Sequence, residues 1–415
     1  MADPRQEAIL GEQALSLSLK CLNFDFIGTN PDEATTEDVG TIQVPTTWRN
    51  VIQEPSTIDL FFHFYTTTEP PQSALAMENI ILLSSVRRSL FATDKERGVF
   101  LGHLLEGIRG ILSKETGMQH QDNYHQFCRL LGRIKANYQL GELVQVEGYV
   151  EWLELACNFT VQSVRNWQYC TNSIHYLLAL WTRLVAAVPY VRTDSGARGH
   201  VQALEKQILT VCEQYISSMI TSVELVFDSD GSLDDPLDDD GSLKEQLDRL
   251  PTLCRFQYAT VANLIFVQFD PLLTQYRELL THLGSMRTED SSSDTQKRVS
   301  ITEGKLTWLM YIVGCIVGGH SWSSGNLGEG DETIDANLSR RAFQLIQYVD
   351  YRLTTSNGIG RASSKLEQAI LYYCQSFRRV YMFMWDQVSC TDVFFFSSGC
   401  FVQRIITCII SLSVF

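Results

Sequence analysis

The sequence predicts an all-α chain of stacked helix pairs, on three observations. Apolar residues recur at steps of three or four from about residue 74 onward, strand-like alternation flanked by hairpin turns is not evident, and helix starts are evenly spaced. In NYHQFCRLLGRIKANYQL the stripe is Tyr124, Phe127, Cys128, Leu131, Ile134 and Tyr138. In SIHYLLALWTRLVAAVPY it is Ile174, Leu177, Leu178, Trp181, Leu184 and Val188, stopping at Pro189. Leu204, Ile208, Val211, Tyr215 and Met219 repeat the pattern. Each is the apolar face of an amphipathic helix.

Helix starts are expected near Ala74, Asp94, Asn123, Glu151, Asn172, Val201, Leu243, Ile301, Ile334 and Ser364. Every second start advances by 49 residues from Ala74 to Asn123, and by 49 again to Asn172. The next step, to Leu243, is 71 residues and contains an aspartate-rich segment. A helix-pair unit of about 40–50 residues is the period of HEAT repeats, in which each pair buries its stripe against the next. The expected fold is therefore a HEAT-repeat (ARM-like) α-solenoid of antiparallel helix pairs, in one continuous array. Three stretches are expected as surface loops within it: GTNPDEATTEDVG (28–40), GSMRTEDSSSDTQKRVS (284–300) and GGHSWSSGNLGEGDE (318–332).

Of 415 residues, 45% are hydrophobic and 20% charged, enough apolar surface for an extended core. The formal net charge of −15 argues against nucleic acid as a partner and suits the steering of a basic protein. Eleven cysteines are scattered singly without CxxC, and MADPRQEAIL lacks the apolar core of a secretory signal. Reduced, buried thiols in a cytosolic or nuclear protein are expected, with Asn158-Phe159-Thr160 a chance sequon.

No catalytic or metal motif survives inspection. His120 and His125, five apart, do not share a helical face, and HExxH is absent. Cys128 lies in an apolar stripe, which marks a core thiol rather than a nucleophile. GCIVGG (314–319) follows no strand and reads as small residues for close helix packing; GIGRASSK (358–365) lacks P-loop spacing. No GxSxG or kinase set occurs. No enzyme, cofactor or metal site is expected.

The most distinctive segment is DSDGSLDDPLDDDG (228–241). Asp228, Asp230, Asp234, Asp235, Asp238, Asp239 and Asp240 fall within thirteen residues that hold no lysine or arginine. No register satisfies the ligand positions of an EF-hand calcium loop. Pro236, Gly231 and Gly241 resist helix continuation, so the charges are expected on a loop. Two readings stay open: a solvated spacer, or a surface that receives a basic partner.

Longer strings carry a resemblance. CLNFDFIGT (21–29), SVRRSLF (85–91), NYHQFCRLLGRIKANYQLGELV (123–144), ACNFTVQSV (156–164), NSIHYLLALWTRLVAAVPYV (172–191), LDDPLDDDGSLKEQLDRL (233–250) and EGKLTWLMYIVGCIVGG (303–319) occur in this order. Together they resemble the exportin-7 branch of the importin-β (karyopherin) superfamily. The resemblance implies a HEAT solenoid that binds protein cargo with Ran-GTP, contacts nucleoporins, and shuttles between nucleus and cytoplasm without catalytic residues. It also implies that the acidic loop contacts a basic face of Ran or of cargo, as acidic loops of the superfamily do.

The match runs from about Leu19 to Val388, which divides the chain into a lead-in (1–18), a central exportin-type solenoid (19–388) and an unaligned apolar tail (389–415). Only a central section of the longer family chain is matched, without its amino-terminal arm or its carboxy-terminal half, so a truncated or alternatively spliced product, or a gene-model artefact, is expected. Such a product is either a Ran-dependent fragment, a Ran-independent HEAT scaffold, or an inactive isoform. Residues 393–415 are long enough to span a bilayer, but Arg404 in mid-segment costs about 2.5–3.5 kcal/mol on insertion scales, and no membrane anchor is expected.

Overall fold

The computed structural model describes residues 4–26, 41–191, 198–285, 293–319, 330–354 and 362–382. They form an all-α, HEAT-like arrangement of helices, as the periodicity predicts. Contacts group the chain into two compact units, Met1–Val211 and Cys212–Phe415, where the sequence predicts one continuous array.

The first unit holds α1 (Pro4–Leu22), α2 (Arg49–Gln53), α3 (Pro55–Thr67), α4 (Gln72–Ser84), α5 (Asp94–Lys114), α6 (Gln121–Asn137), α7 (Leu140–Leu143), α8 (Tyr149–Arg165), α9 (Trp167–Cys170), α10 (Ile174–Ala187) and the start of α11 (Arg198–Asp228). Two layers result. α1, α4, α6 and α10 pack side by side in one, and α3, α5 and α8 in the other. The layers meet through apolar stripes and a few internal polar bonds. Phe127 and Phe159 rings lie 5.4 Å apart edge to face, and the Trp181 indole donates to Thr160 Oγ1 at 3.0 Å. That bond satisfies a donor that would otherwise be buried dry. α5 starts where Thr93 accepts from the Glu96 amide, with Asp94 and Glu96 in its first turn and Lys114 in its last. The Arg97 guanidinium, almost fully buried, donates to Glu142 at 2.8 Å and to the Asn137 carbonyl at 2.7 Å, and lies over the Tyr138 ring.

The second unit holds the rest of α11, α12 (Asp240–Leu247), α13 (Leu250–Phe256), α14 (Tyr258–Ser285), α15 (Ser293–Gly318), α16 (Asp331–Thr354) and α17 (Ser364–Phe377), the last followed by a π-helical turn, Arg378–Met382. α15 is its centre, packed by α12, α13, α14, α16 and α17. Its stretch Asp294–Gly318 is long and apolar enough to cross a membrane by composition, but 78% of the window is buried within the protein, so it reads as a core helix. The glycines of GCIVGG make the close packing that the sequence predicts. A Cβ on Gly314 would sit 3.0 Å from the Tyr372 ring, and one on Gly318 2.6 Å from Ser376 Cβ.

Every residue named in the three predicted stripes is buried. Other expectations need correction. Helical periodicity begins before residue 74: α1 and α3 precede it, and α3 buries Ile58, Phe61, Phe62 and Tyr65 on one face. α14 is absent from the expected starts because Pro271 interrupts its pattern. That proline is exposed, four residues after the exposed Val267, so the carbonyl it frees faces water. α15 starts at Ser293 rather than near Ile301, which makes helix of the last part of the 284–300 stretch; residues 286–292 lie outside the described residues. So do loop 28–40, residues 320–329 and the tail 389–415. The boundary at 18 and 19, drawn from the extent of the resemblance and not as a structural break, lies within helix α1. A single isolated bridge, Ile42 to Val86, is the β-type pairing among the described residues.

Candidate protein-binding site at the acidic segment

α11 ends at Asp228, and left-handed Asp230 (φ 50) and Gly231 (φ 83) turn the chain away. Aspartate tolerates that region better than most side chains. The buried Leu237 then anchors the segment, on a single 3-10 turn that Pro236 opens. Asp235 Oδ1 accepts from the Leu237 amide at 3.0 Å, and Asp239 Oδ1 accepts from the Ser242 amide at 3.0 Å as the N-cap of α12. Asp240 and Gly241 therefore lie in the first turn of α12. This corrects the expectation that all seven carboxylates stay on a loop: capping by Asp239 nucleates the helix two residues earlier than Gly241 suggests.

The seven aspartates divide by what they touch. Asp235 and Asp238 converge on Lys365 Nζ, near the start of α17, at 2.7 and 2.6 Å. Partial burial alone would lower the Lys365 ammonium pKa, but these two carboxylates override it and the net shift is upward. Asp228 pairs with Lys297 of α15 at 2.8 Å, and this hydrogen bond raises the lysine pKa; Lys297 also lies 5.2 Å over the Phe227 ring. Asp239 is spent on capping. Asp230, Asp234 and Asp240 are exposed and make no hydrogen bond or ion pair among the described residues. Sequence reasoning missed Lys297 and Lys365. A single lysine 69 residues beyond Asp228, or 130 beyond Asp235, carries no periodic or motif signal, so only the fold brings it there.

Two of the residues set aside on sequence grounds lie in packed, hydrogen-bonded positions. Cys128 is fully buried, and burial pushes its thiol pKa well above the ordinary value, which favours the neutral thiol over the thiolate. His125 Nδ1 lies 3.0 Å from Ser173 Oγ, with its ring edge-on to Tyr176. Burial also raises Cys170 to about 11 and Cys157 to about 12. Among the described residues no group of three His, Cys, Asp or Glu side chains is placed to hold a metal ion.

Comparison with known proteins agrees with this architecture. Residues 223–395 match the family model described as Exportin-7-like, TPR domain. The chain is 40% identical to Exportin-7-B of Xenopus laevis over 382 residues, 92% of this chain and 33% of that protein. It is 40% identical to Ran-binding protein 17 of Homo sapiens over 371 residues, 89% of this chain and 32% of that protein. Against Exportin-7 of Dictyostelium discoideum it is 33% identical over 375 residues, 89% of this chain and 34% of that protein. The chain thus spans about a third of the length of these relatives. It is a relative of the exportin-7 proteins, similar to them along about nine-tenths of its own length.

Proposed function

We propose that this chain is a section of a nuclear export receptor that binds protein cargo and Ran-GTP, contacts nucleoporins, and shuttles between nucleus and cytoplasm without chemistry of its own. The observation that carries the reading is the 40% identity, over 92% of the chain, to a protein named an exportin, beside a similar match to one named for binding Ran. The acidic segment supports the choice of partner surface. Asp230, Asp234 and Asp240 are exposed carboxylates on an ordered turn, fixed beside a helix start and free to pair with a basic face.

The test is binding of the purified chain to Ran loaded with a non-hydrolysable GTP analogue, beside the GDP form, at low and moderate salt. GTP-selective, salt-weakened binding is expected, and Asp230→Asn with Asp234→Asn and Asp240→Asn weakens it. Equal binding of both nucleotide forms makes the chain a scaffold without a nucleotide-dependent switch, and binding of neither makes it a Ran-independent one. Affinity unchanged in the triple variant removes the acidic segment from the site.

A further inference from the structure

Beside the acidic segment, within the second unit, α12, α15 and α17 enclose a cleft of about 550 Å³. Tyr311 of α15 and Tyr372 of α17 line it, with ring centroids 5.3 Å apart and planes inclined at 56°. Asp240, Lys244 and Asp248 come to the same cleft from α12, where the spacing of four places them on one helical face. Arg379 lines it from beyond the end of α17, but its guanidinium donates to the Gly318 carbonyl at 3.1 Å and is already engaged.

We propose that this cleft is a receptor for an arginine side chain of a protein partner, which stacks on Tyr311 and Tyr372 and pairs with Asp240 and Asp248. The inference rests on the reading that the acidic segment receives a basic partner, and it names where one residue of that partner goes.

Charge selects the occupant. In the cleft wall Asp240 and Asp248 stand beside Lys244 and Arg379, but around it, between Asp228 and Asp248, nine carboxylates outnumber Lys244, Arg379 and the two lysines, Lys297 and Lys365, that pair with them, so the surrounding field stays negative. An anion would enter against that field, whereas a cation is drawn in. The aromatic lining then favours arginine over lysine, because a planar guanidinium stacks on a ring and offers a fork of donors to a carboxylate. The carboxylates are close enough to be felt at the rings. Burial first, then Asp240, pushes the Tyr311 hydroxyl pKa up; burial, Cys315 and Asp248 do so for Tyr372, against smaller opposing effects of Arg379 and Ser376. Neither the tyrosine pair nor Asp248 belongs to the segment that its aspartates mark in the sequence.

Fluorescence anisotropy of the full chain tests the proposal, with three labelled eight-residue probes that alternate glycine with arginine, lysine or citrulline. The arginine probe is expected to bind more tightly than the lysine probe, and the citrulline probe not to bind. Tyr372→Leu should weaken the arginine probe about fivefold, the scale of one cation–π contact, and erase its advantage over lysine. Tyr372→Phe, which keeps the ring, should retain both. Asp248→Asn, at an exposed position where folding is not at stake, should weaken both cationic probes. Equal binding of arginine and lysine probes, or a Tyr372→Leu variant that folds and binds as the parent does, overturns the cleft. If Asp230→Asn with Asp234→Asn still weakens the probes in that case, the acidic-segment reading stands without the cleft. Loss of binding in Tyr372→Phe as well as Tyr372→Leu also overturns it, since stacking cannot then be the cause.

Discussion

Lys365→Met removes the one cation that two carboxylates of the acidic segment share, and its consequences follow from the geometry. Nζ lies 2.7 Å from Asp235 and 2.6 Å from Asp238, while the side chains are 34%, 24% and 65% exposed. Pairs this open to water contribute about 0.2–1 kcal/mol each, so the stability loss should be about 1 kcal/mol. For a domain of this size that lowers Tm by about 2–4 °C. Methionine keeps much of the apolar stem of lysine, so packing contributes little to the change. Binding should move the other way. Two carboxylates become available, and one additional unscreened pair in water is worth about 1 kcal/mol at 4 Å, so a basic probe should bind about fivefold tighter at low salt. The gain should disappear at high salt. Anisotropy at two salt concentrations, with a thermal melt beside it, reads both effects. A variant that melts as expected yet binds the probe more weakly refutes the reasoning, because Lys365 would then be holding the segment in its binding shape rather than competing for it.

Two further predictions concern the interior. Asp335 is buried and accepts from Arg255 at 2.7 and 2.8 Å as well as from the Tyr258 and Tyr381 hydroxyls, so Asp335→Ala leaves the guanidinium with the Asp331 carboxylate, 3.9 Å away, as its remaining counter-charge, and two buried hydroxyls without their acceptor. A loss of about 3–5 kcal/mol is expected in urea unfolding, partly restored by Arg255→Leu in the same chain; a loss below about 1 kcal/mol contradicts it. The Lys135 ammonium pKa is lowered, first by burial and then by Arg183, against a smaller opposing effect of Glu142. Its folded pKa lies below its unfolded one, so the unfolded chain binds more protons between the two values and stability rises with pH across that window. Lys135→Met should remove that rise and stabilise the protein at neutral pH, as read from urea midpoints at several pH values.

What was legible in the sequence was periodicity, and periodicity is local. The stripes through Phe127, Trp181 and Ile208 are buried as their spacing demands, because side chains three and four apart share a helical face whatever surrounds them. α14 escaped because Pro271 looks like a stop, and only the exposed position of that residue makes it tolerable within a helix. α3 escaped because its C-terminal end runs through Thr66, Thr67 and the C-cap Thr68, poor helix formers that hydrogen-bond back to Phe62, His63 and Phe64. The acidic segment was visible as charge, but its division into capping, paired and free carboxylates was not. That division depends on Lys297 and Lys365, which the fold delivers from far along the chain. Tyr311 and Tyr372 were invisible for the same reason: each is an ordinary stripe neighbour until the packing of α15 on α17 sets their rings side by side.

The free charge of the segment also limits what it can do. Three unpaired carboxylates, at about 0.2–1 kcal/mol for each exposed pair, contribute about 1–3 kcal/mol to a complex. A micromolar complex needs about 8 kcal/mol, so the segment cannot hold a partner alone. Its larger effect should be kinetic, since exposed charge steers the encounter while buried contact sets the residence time. Asp230→Asn with Asp234→Asn, the two free carboxylates outside the cleft, is therefore expected to slow association of a basic partner several-fold and to leave dissociation within about twofold. Biosensor traces at two salt concentrations separate the two rates. An unchanged association rate with dissociation accelerated tenfold would place these carboxylates inside a dry interface, and the steering argument would have to be given up.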